Sequence, residues 1–284
     1  MKICLVSDLH FEINEYAIKN KDFKEADVLI IAGDLTCARF FQPQRTDAEA
    51  RKHRNYIKRL SDLIGKKYDA CFYVVGNHEH YGSIYKDTVP NLMNFLADTN
   101  ITLLQDNHVT FNNVKFYGTS LWTSFNNGDF DTMNITEHFM NDYRWISKKH
   151  EDEIPYSERK SALVHLRNGT ITPEFILNEH VQQLGRLNYF LENNKDEKIV
   201  VITHHAPSLK AQNTKRHGTN LMYAYCSDLD YIMEEYDNIA LWCYGHTHDS
   251  MDFQVNKTRV ISNQMGYWGN DPGAYNFKPV IIEI

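Results

Sequence analysis

The stretch Lys2-Ile3-Cys4-Leu5-Val6-Ser7-Asp8-Leu9-His10 organises the chain. It reads as a short apolar strand that ends in a carboxylate and an imidazole two positions apart. In extended backbone, residues i and i+2 project from the same side. Asp8 and His10 are therefore expected to reach one point just beyond the strand's end. An oxygen ligand and a nitrogen ligand converging there suit a divalent metal. A strand that merely runs into a polar loop would look the same over two residues, so the reading depends on how the other strands end.

Four more apolar runs end in the same kind of residue. Asp27–Ala32 stops at Gly33-Asp34, and Ala70–Val75 stops at Gly76-Asn77-His78-Glu79-His80. Lys198–Thr203 runs into His204-His205, and Ala240–Tyr244 into Gly245-His246-Thr247-His248. Between the early runs lie segments with helical spacing, with Ile57, Leu60 and Ile64 on a charged background and a second helix from about Ile84 to Ala97. Strand–helix–strand order predicts a parallel sheet with helical crossovers, whose loops gather at the carboxyl ends of the strands. The five endings would then share one sheet edge. They offer carboxylate oxygen, amide oxygen and imidazole nitrogen without a thiolate, a set that suits manganese, iron, zinc or nickel.

The rhythm changes after residue 100. Ile101–Leu104, Val109–Phe111 and Val114–Gly118, with Asn112-Asn113 as a turn, read as an antiparallel meander. Residues 124–170 look helical, polar and insertion-like. A helix from Pro173 to about Asn193, capped by Thr172, precedes the fourth strand. No repeat or linker interrupts the 284 residues, and one domain is the expected organisation.

The formal net charge of -7 argues against binding nucleic acid through a general basic field. There is no apolar run of bilayer length and no signal-peptide pattern, so a cytoplasmic protein without a membrane partner is expected. Five scattered cysteines without a Cys-x-x-Cys pair read as small buried hydrophobes. Oligomeric state is left open.

The five blocks together resemble the calcineurin-like metallophosphoesterase family, in the style of its small bacterial and phage members. That family's pattern is Asp-x-His, Gly-Asp, Gly-Asn-His-Asp/Glu, a histidine near His-His, and Gly-His-x-His; all stand here in order, from Asp8 to His248. The resemblance implies an α/β fold of two stacked mixed β-sheets flanked by helices, a four-layer sandwich. It also implies a binuclear centre of two divalent ions, with manganese the expected metal. Carried over residue by residue, Asp8, His10 and His248 would hold one ion, Asn77, His204 and His246 the other, and Asp34 would bridge them. Two cations roughly 3.5–4 Å apart can share a carboxylate and a water, and the bridging hydroxide attacks phosphorus in line. His78 would be the catalytic residue, a general acid or charge stabiliser at the leaving group. One departure stands out. The Ser/Thr protein phosphatase branch carries an Asp that orients the catalytic histidine, where this chain has Cys37 within Gly33-Asp34-Leu35-Thr36-Cys37-Ala38-Arg39.

Three residues read as substrate contacts or as supports behind the ligands: His205, Glu79 and Arg144. Arg144 suits either a bidentate phosphate clamp or a surface salt bridge. The function expected is a two-metal phosphohydrolase acting on a phosphomonoester or phosphodiester of a small molecule, nucleotides included. The alternatives are a DNA or RNA nuclease of the same superfamily and, with less support, a metal-binding scaffold without turnover.

Overall fold

A computed structural model of the chain describes residues 1–14, 23–149, 169–211 and 216–284. Its first sheet is built from β1 (Lys2–Val6), β2 (Val28–Ile31), β3 (Ala70–Val74), β4 (Thr102–Leu104) and β11 (Val280–Glu283), in the order β11-β1-β2-β3-β4. β1 to β4 run parallel, and β11 closes one edge antiparallel to β1. The second sheet contains β5 (Asn107–Phe111), β6 (Val114–Thr119), β7 (Lys198–Thr203), β8 (Ile239–Tyr244), β9 (Asp252–Val255) and β10 (Thr258–Ser262), in the order β5-β6-β7-β8-β10-β9. β6, β7, β8 and β10 are parallel, with antiparallel hairpins at both edges.

Side-chain alternation explains why the sheets stack. In β1, Ile3 and Leu5 face the second sheet, where they meet Val200, Ile202, Leu241 and Cys243 in one buried cluster. Cys4 and Val6 point the other way, into a cluster with Ile57, Leu60, Ile64, Leu92 and Leu96 from the helices Ala48–Lys67 and Tyr85–Leu96. On the far side, Ile199 and Val201 pack on Leu187, Phe190 and Leu191 of the helix Pro173–Glu192. Inner strands are thus buried on both faces, which is why their sequences are continuous apolar runs rather than alternating ones. Thr172 caps its helix as expected, accepting from the Phe175 N–H at 3.3 Å, and Asp47 does the same for the helix Ala48–Lys67, accepting from the Ala50 N–H at 3.0 Å.

Two expectations are corrected. The run at Ile101–Leu104 does not join a meander: β4 pairs parallel with β3 in the first sheet, and the hairpin across Asn112-Asn113, both at positive φ, belongs to the second. Nor do the five ligand-bearing strands share one edge. β1, β2 and β3 lie in one sheet and β7 and β8 in the other, so the carboxyl ends of two stacked sheets converge. Of the segment 124–170, the structure describes a helix Phe130–Phe139 and one helical turn Asp142–Trp145. Residues 150–168 lie outside the described residues, as do 212–215 in the connection after β7. Among the described residues no helix is long and apolar enough to cross a membrane, and all five cysteines are buried and free.

Candidate metal centre

The strand-end residues reach their positions by a tighter route than extended backbone. Asp8, His10, Asp34, His246 and His248 all have positive φ, between 45° and 70°. Each non-glycine residue held there costs on the order of 1 kcal/mol, and such residues persist where surrounding structure fixes them. The i, i+2 argument for Asp8 and His10 is therefore corrected: the strand ends at Val6, and left-handed turns deliver both side chains. Gly33, at φ +89°, permits the turn before Asp34, and a Cβ on it would collide with the His204 ring.

The structure brings all seven residues together. Asp8, His10 and His248 present ligand atoms within 4.8 Å of one another, as do Asp34, His204 and His246. Asp34 Oδ2 stands 3.7 Å from His10 Nε2 and 3.4 Å from His204 Nε2, so one carboxylate oxygen faces both groups. Asn77 Oδ1 is 3.0 Å from His204 Nε2. The Asn77 amide donates to Asp142 Oδ1 at 2.7 Å, which turns its oxygen inward.

The ring nitrogens are sorted. His10 Nδ1 lies 3.1 Å from Glu12 Oε1, His248 Nδ1 2.8 Å from Asp271 Oδ2, and His204 Nδ1 2.9 Å from the Ala32 carbonyl. In each case Nδ1–H donates outward and Nε2 is left facing the centre, the arrangement of metal-ligating histidines. His10 Nε2 and His248 Nε2 then confront each other at 3.1 Å, which only a shared proton or a cation makes favourable. His246 Nε2 is buried without a hydrogen-bond partner. Among the described residues, no lysine or arginine pairs with the buried carboxylates of Asp8 and Asp34. Buried anions, converging lone pairs and an orphaned nitrogen fit divalent cations.

The electrostatics point the same way. Burial works against ionisation of His248, but Asp271 and Asp8 outweigh it and raise its pKa to about 9. Burial likewise opposes a charge on His204, whose pKa Asp34 nevertheless raises. In the absence of metal these imidazoles hold protons where the carboxylates call for positive charge.

His78 adjoins the ligands. Its N–H donates to Asp34 Oδ1 at 2.9 Å, its Nδ1 is 2.9 Å from Glu12 Oε1, and its Nε2 is 2.9 Å from the Tyr267 hydroxyl. Burial pushes its pKa down, yet Asp34 and Glu12 overcome that and leave it raised. A cavity of about 170 Å³ opens on this face, lined in part by Asp34, Asn77, His78, Met140, Arg216 and Tyr267.

The three supporting residues fall in different places. Glu79 is fully buried behind Asp34, accepting from the N–H groups of Asp34, Leu35, Thr36 and Gly76 and from the Tyr73 hydroxyl. Burial, then the nearby Asp34 charge, raises its pKa to about 7. His205 packs its ring 4.1 Å from that of His246, outside the cavity lining. Arg144 is exposed, donating to the Asn141 side chain and the His138 carbonyl, and does not line the cavity. The arginine that does is Arg216, whose guanidinium stacks 4.0 Å over the Tyr225 ring. Sequence reading also passed over Glu12, Asp142, Tyr267 and Asp271. Of these, Asp142 lies two residues before Arg144, which the sequence did single out.

Known proteins resemble the chain over most of its length. The family profile for calcineurin-like phosphoesterases matches residues 1–250. An uncharacterized protein of Acanthamoeba polyphaga mimivirus is 26% identical over 226 residues, 74% of this chain and 73% of the viral one. An uncharacterized metallophosphoesterase of Helicobacter pylori is 27% identical over 124 residues, 42% of this chain and 29% of that one. Among solved structures, a phosphopantetheinyl hydrolase from Mycobacterium tuberculosis superposes with a TM-score of 0.64, covering 98% of this chain and 95% of that one. At 15% identity the likeness speaks to the fold alone. With the profile spanning most of its length, the chain belongs to the calcineurin-like phosphoesterase family and is a metal-dependent phosphoester hydrolase.

Proposed function

We propose that the chain hydrolyses a small phosphoester using two divalent cations, manganese first among them. Asp8, His10 and His248 would hold one ion, Asn77, His204 and His246 the other, with Asp34 between. The observation that carries this is the pair of ligand groups facing a single Asp34 oxygen in a buried site without lysine or arginine counter-charge among the described residues. When bound, the cations supply Lewis acidity at the phosphoryl oxygens and an ionised water as nucleophile.

The remaining work belongs to the chain's own groups. His78 Nε2 faces the Tyr267 hydroxyl at the cavity. A leaving oxygen that took that hydroxyl's place would receive its proton from Nε2. Arg216 offers a planar cation to the substrate's anionic oxygens. A cavity of about 170 Å³ accommodates a phosphoryl group with a compact substituent, and the exposed Phe139 at its lip offers an apolar face to a larger one. The small cavity and the net charge of -7 support a small molecule over a nucleic acid.

The test is turnover by protein stripped with a chelator and reloaded with Mn²⁺. p-Nitrophenyl phosphate and bis-p-nitrophenyl phosphate separate monoesterase from diesterase. Metal-dependent release of p-nitrophenol that Asp34→Asn removes is expected. No turnover of either ester with manganese, iron, zinc or nickel would contradict the reading.

A further inference from the structure

We propose that Glu12 is a positioning residue that holds the Nδ1–H of both His78 and His10 and so ties the leaving-group acid to the metal centre. The inference rests on the reading of His78 given above. Glu12 sits in the turn after His10, where the N–H groups of Ile13 and Asn14 donate back to the His10 carbonyl at 2.8 and 2.6 Å. Its side chain is only 7% exposed. One oxygen, Oε1, stands 3.1 Å from His10 Nδ1 and 2.9 Å from His78 Nδ1. The two rings lie 4.3 Å apart at 67°, so both Nδ1–H groups can aim at that oxygen.

The consequence lies at the opposite nitrogens. With Nδ1 protonated and donating to Glu12, His10 must present the lone pair of Nε2 toward His248 and Asp34. His78 must present Nε2 to the cavity, where the Tyr267 hydroxyl meets it. A carboxylate accepts only, so it keeps a proton on Nδ1 of both rings, and the second proton of His78 in its acid form then sits on Nε2, facing the cavity. The other contacts of His78 leave the choice open: its ring stacks on Tyr81, and its backbone N–H, not its side chain, engages Asp34. Cys37, where the protein phosphatase branch carries its orienting carboxylate, is buried and supplies none.

A carboxylate that served only to neutralise charge would affect every substrate alike. An orienting one shows itself where proton delivery to the leaving group limits the rate. The test compares wild type, Glu12→Gln, His78→Ala and the double variant at saturating Mn²⁺. Substrates are a p-nitrophenyl ester and an unactivated alkyl ester of the same phosphate class. Imidazole ¹⁵N spectra of the metal-free proteins report the tautomers and whether each variant is folded.

His78→Ala is expected to lose on the order of 10²-fold or more on the alkyl ester. Glu12→Gln is expected to lose about 10- to 100-fold there. Both losses are severalfold smaller on the p-nitrophenyl ester, and on the alkyl ester Glu12→Gln costs the His78→Ala background far less than it costs the wild type. In spectra taken at a pH high enough for both rings to be neutral, His10 and His78 shift from Nδ1–H toward mixed tautomers in Glu12→Gln. Equal losses of Glu12→Gln on both esters, no loss on either, or unchanged tautomers would overturn the proposal while a selective His78→Ala leaves the His78 reading standing. A His78→Ala variant without leaving-group selectivity would overturn both.

Discussion

Histidine chemistry at this centre is set by what each ring touches on its outer side. Asp271, Glu12 and the Ala32 carbonyl each take an Nδ1–H, and three Nε2 atoms are thereby turned toward the carboxylates of Asp8 and Asp34. The raised pKa values of His248 and His204 mean that both rings carry an extra proton at pH 7 when metal is absent. A cation must displace those protons. Metal loading at pH 7 should therefore release roughly two protons per chain. The sign follows from the direction of the shifts: release falls, and apparent affinity rises, as pH climbs through about 9, where His248 loses its proton unaided. Calorimetric titration in buffers of different ionisation enthalpy measures this, and metal uptake without proton release would contradict the electrostatic account. The outer partners were the least legible part of the site. Asp271 and Asp142 serve residues 23 and 65 positions away, and Glu12 serves one 66 positions away. A carboxylate in a loop carries no periodic signal that names its partner. Arg216 escaped notice for the same reason, while Arg144, in a more distinctive stretch, drew attention and turned out to bond Asn141 and His138 at the surface.

At the scale of elements, the loops after β2 and β3 behave as one unit. Glu79 binds backbone N–H groups on both: Asp34, Leu35 and Thr36 on one side, Gly76 on the other. Gly76 has no room for a Cβ, which would strike Asp34 Oδ1. Replacing Glu79 by Gln presents an NH₂ group to N–H donors and strands several of them in a fully buried position. Such losses cost about 1–3 kcal/mol per unsatisfied group, so Glu79→Gln should lower unfolding stability by about 2–4 kcal/mol. Urea denaturation of the metal-free protein would show it, and a change below about 0.5 kcal/mol, the scale of an ordinary surface substitution, would refute the clamp. The strands themselves were readable because both-face burial writes them as continuous apolar runs, as in Val28–Ile31 and Lys198–Thr203. β4 was not assignable from sequence: three residues flanking a hairpin look alike whether they pair with the hairpin or, as here, with β3 in the other sheet.

Across the whole molecule, the two sheets divide the ligands between them. Asp8, Asp34 and Asn77 follow strands of the first, and His204, His246 and His248 follow strands of the second. The apolar layer of Ile3, Leu5, Ile30, Val200, Ile202 and Leu241 sets the spacing at which the two groups meet. Sequence alone placed every one of these residues at a strand end, but it put the strands in one sheet. Periodicity reports which faces are buried, not which strands are neighbours. Two cations are therefore expected where the two sheet ends meet. Anomalous diffraction from crystals of the manganese-loaded chain tests this most directly. Two peaks per chain are predicted, one among Asp8, His10 and His248 and one among Asn77, His204 and His246, with Asp34 between them; a single peak, or peaks away from these residues, would contradict it.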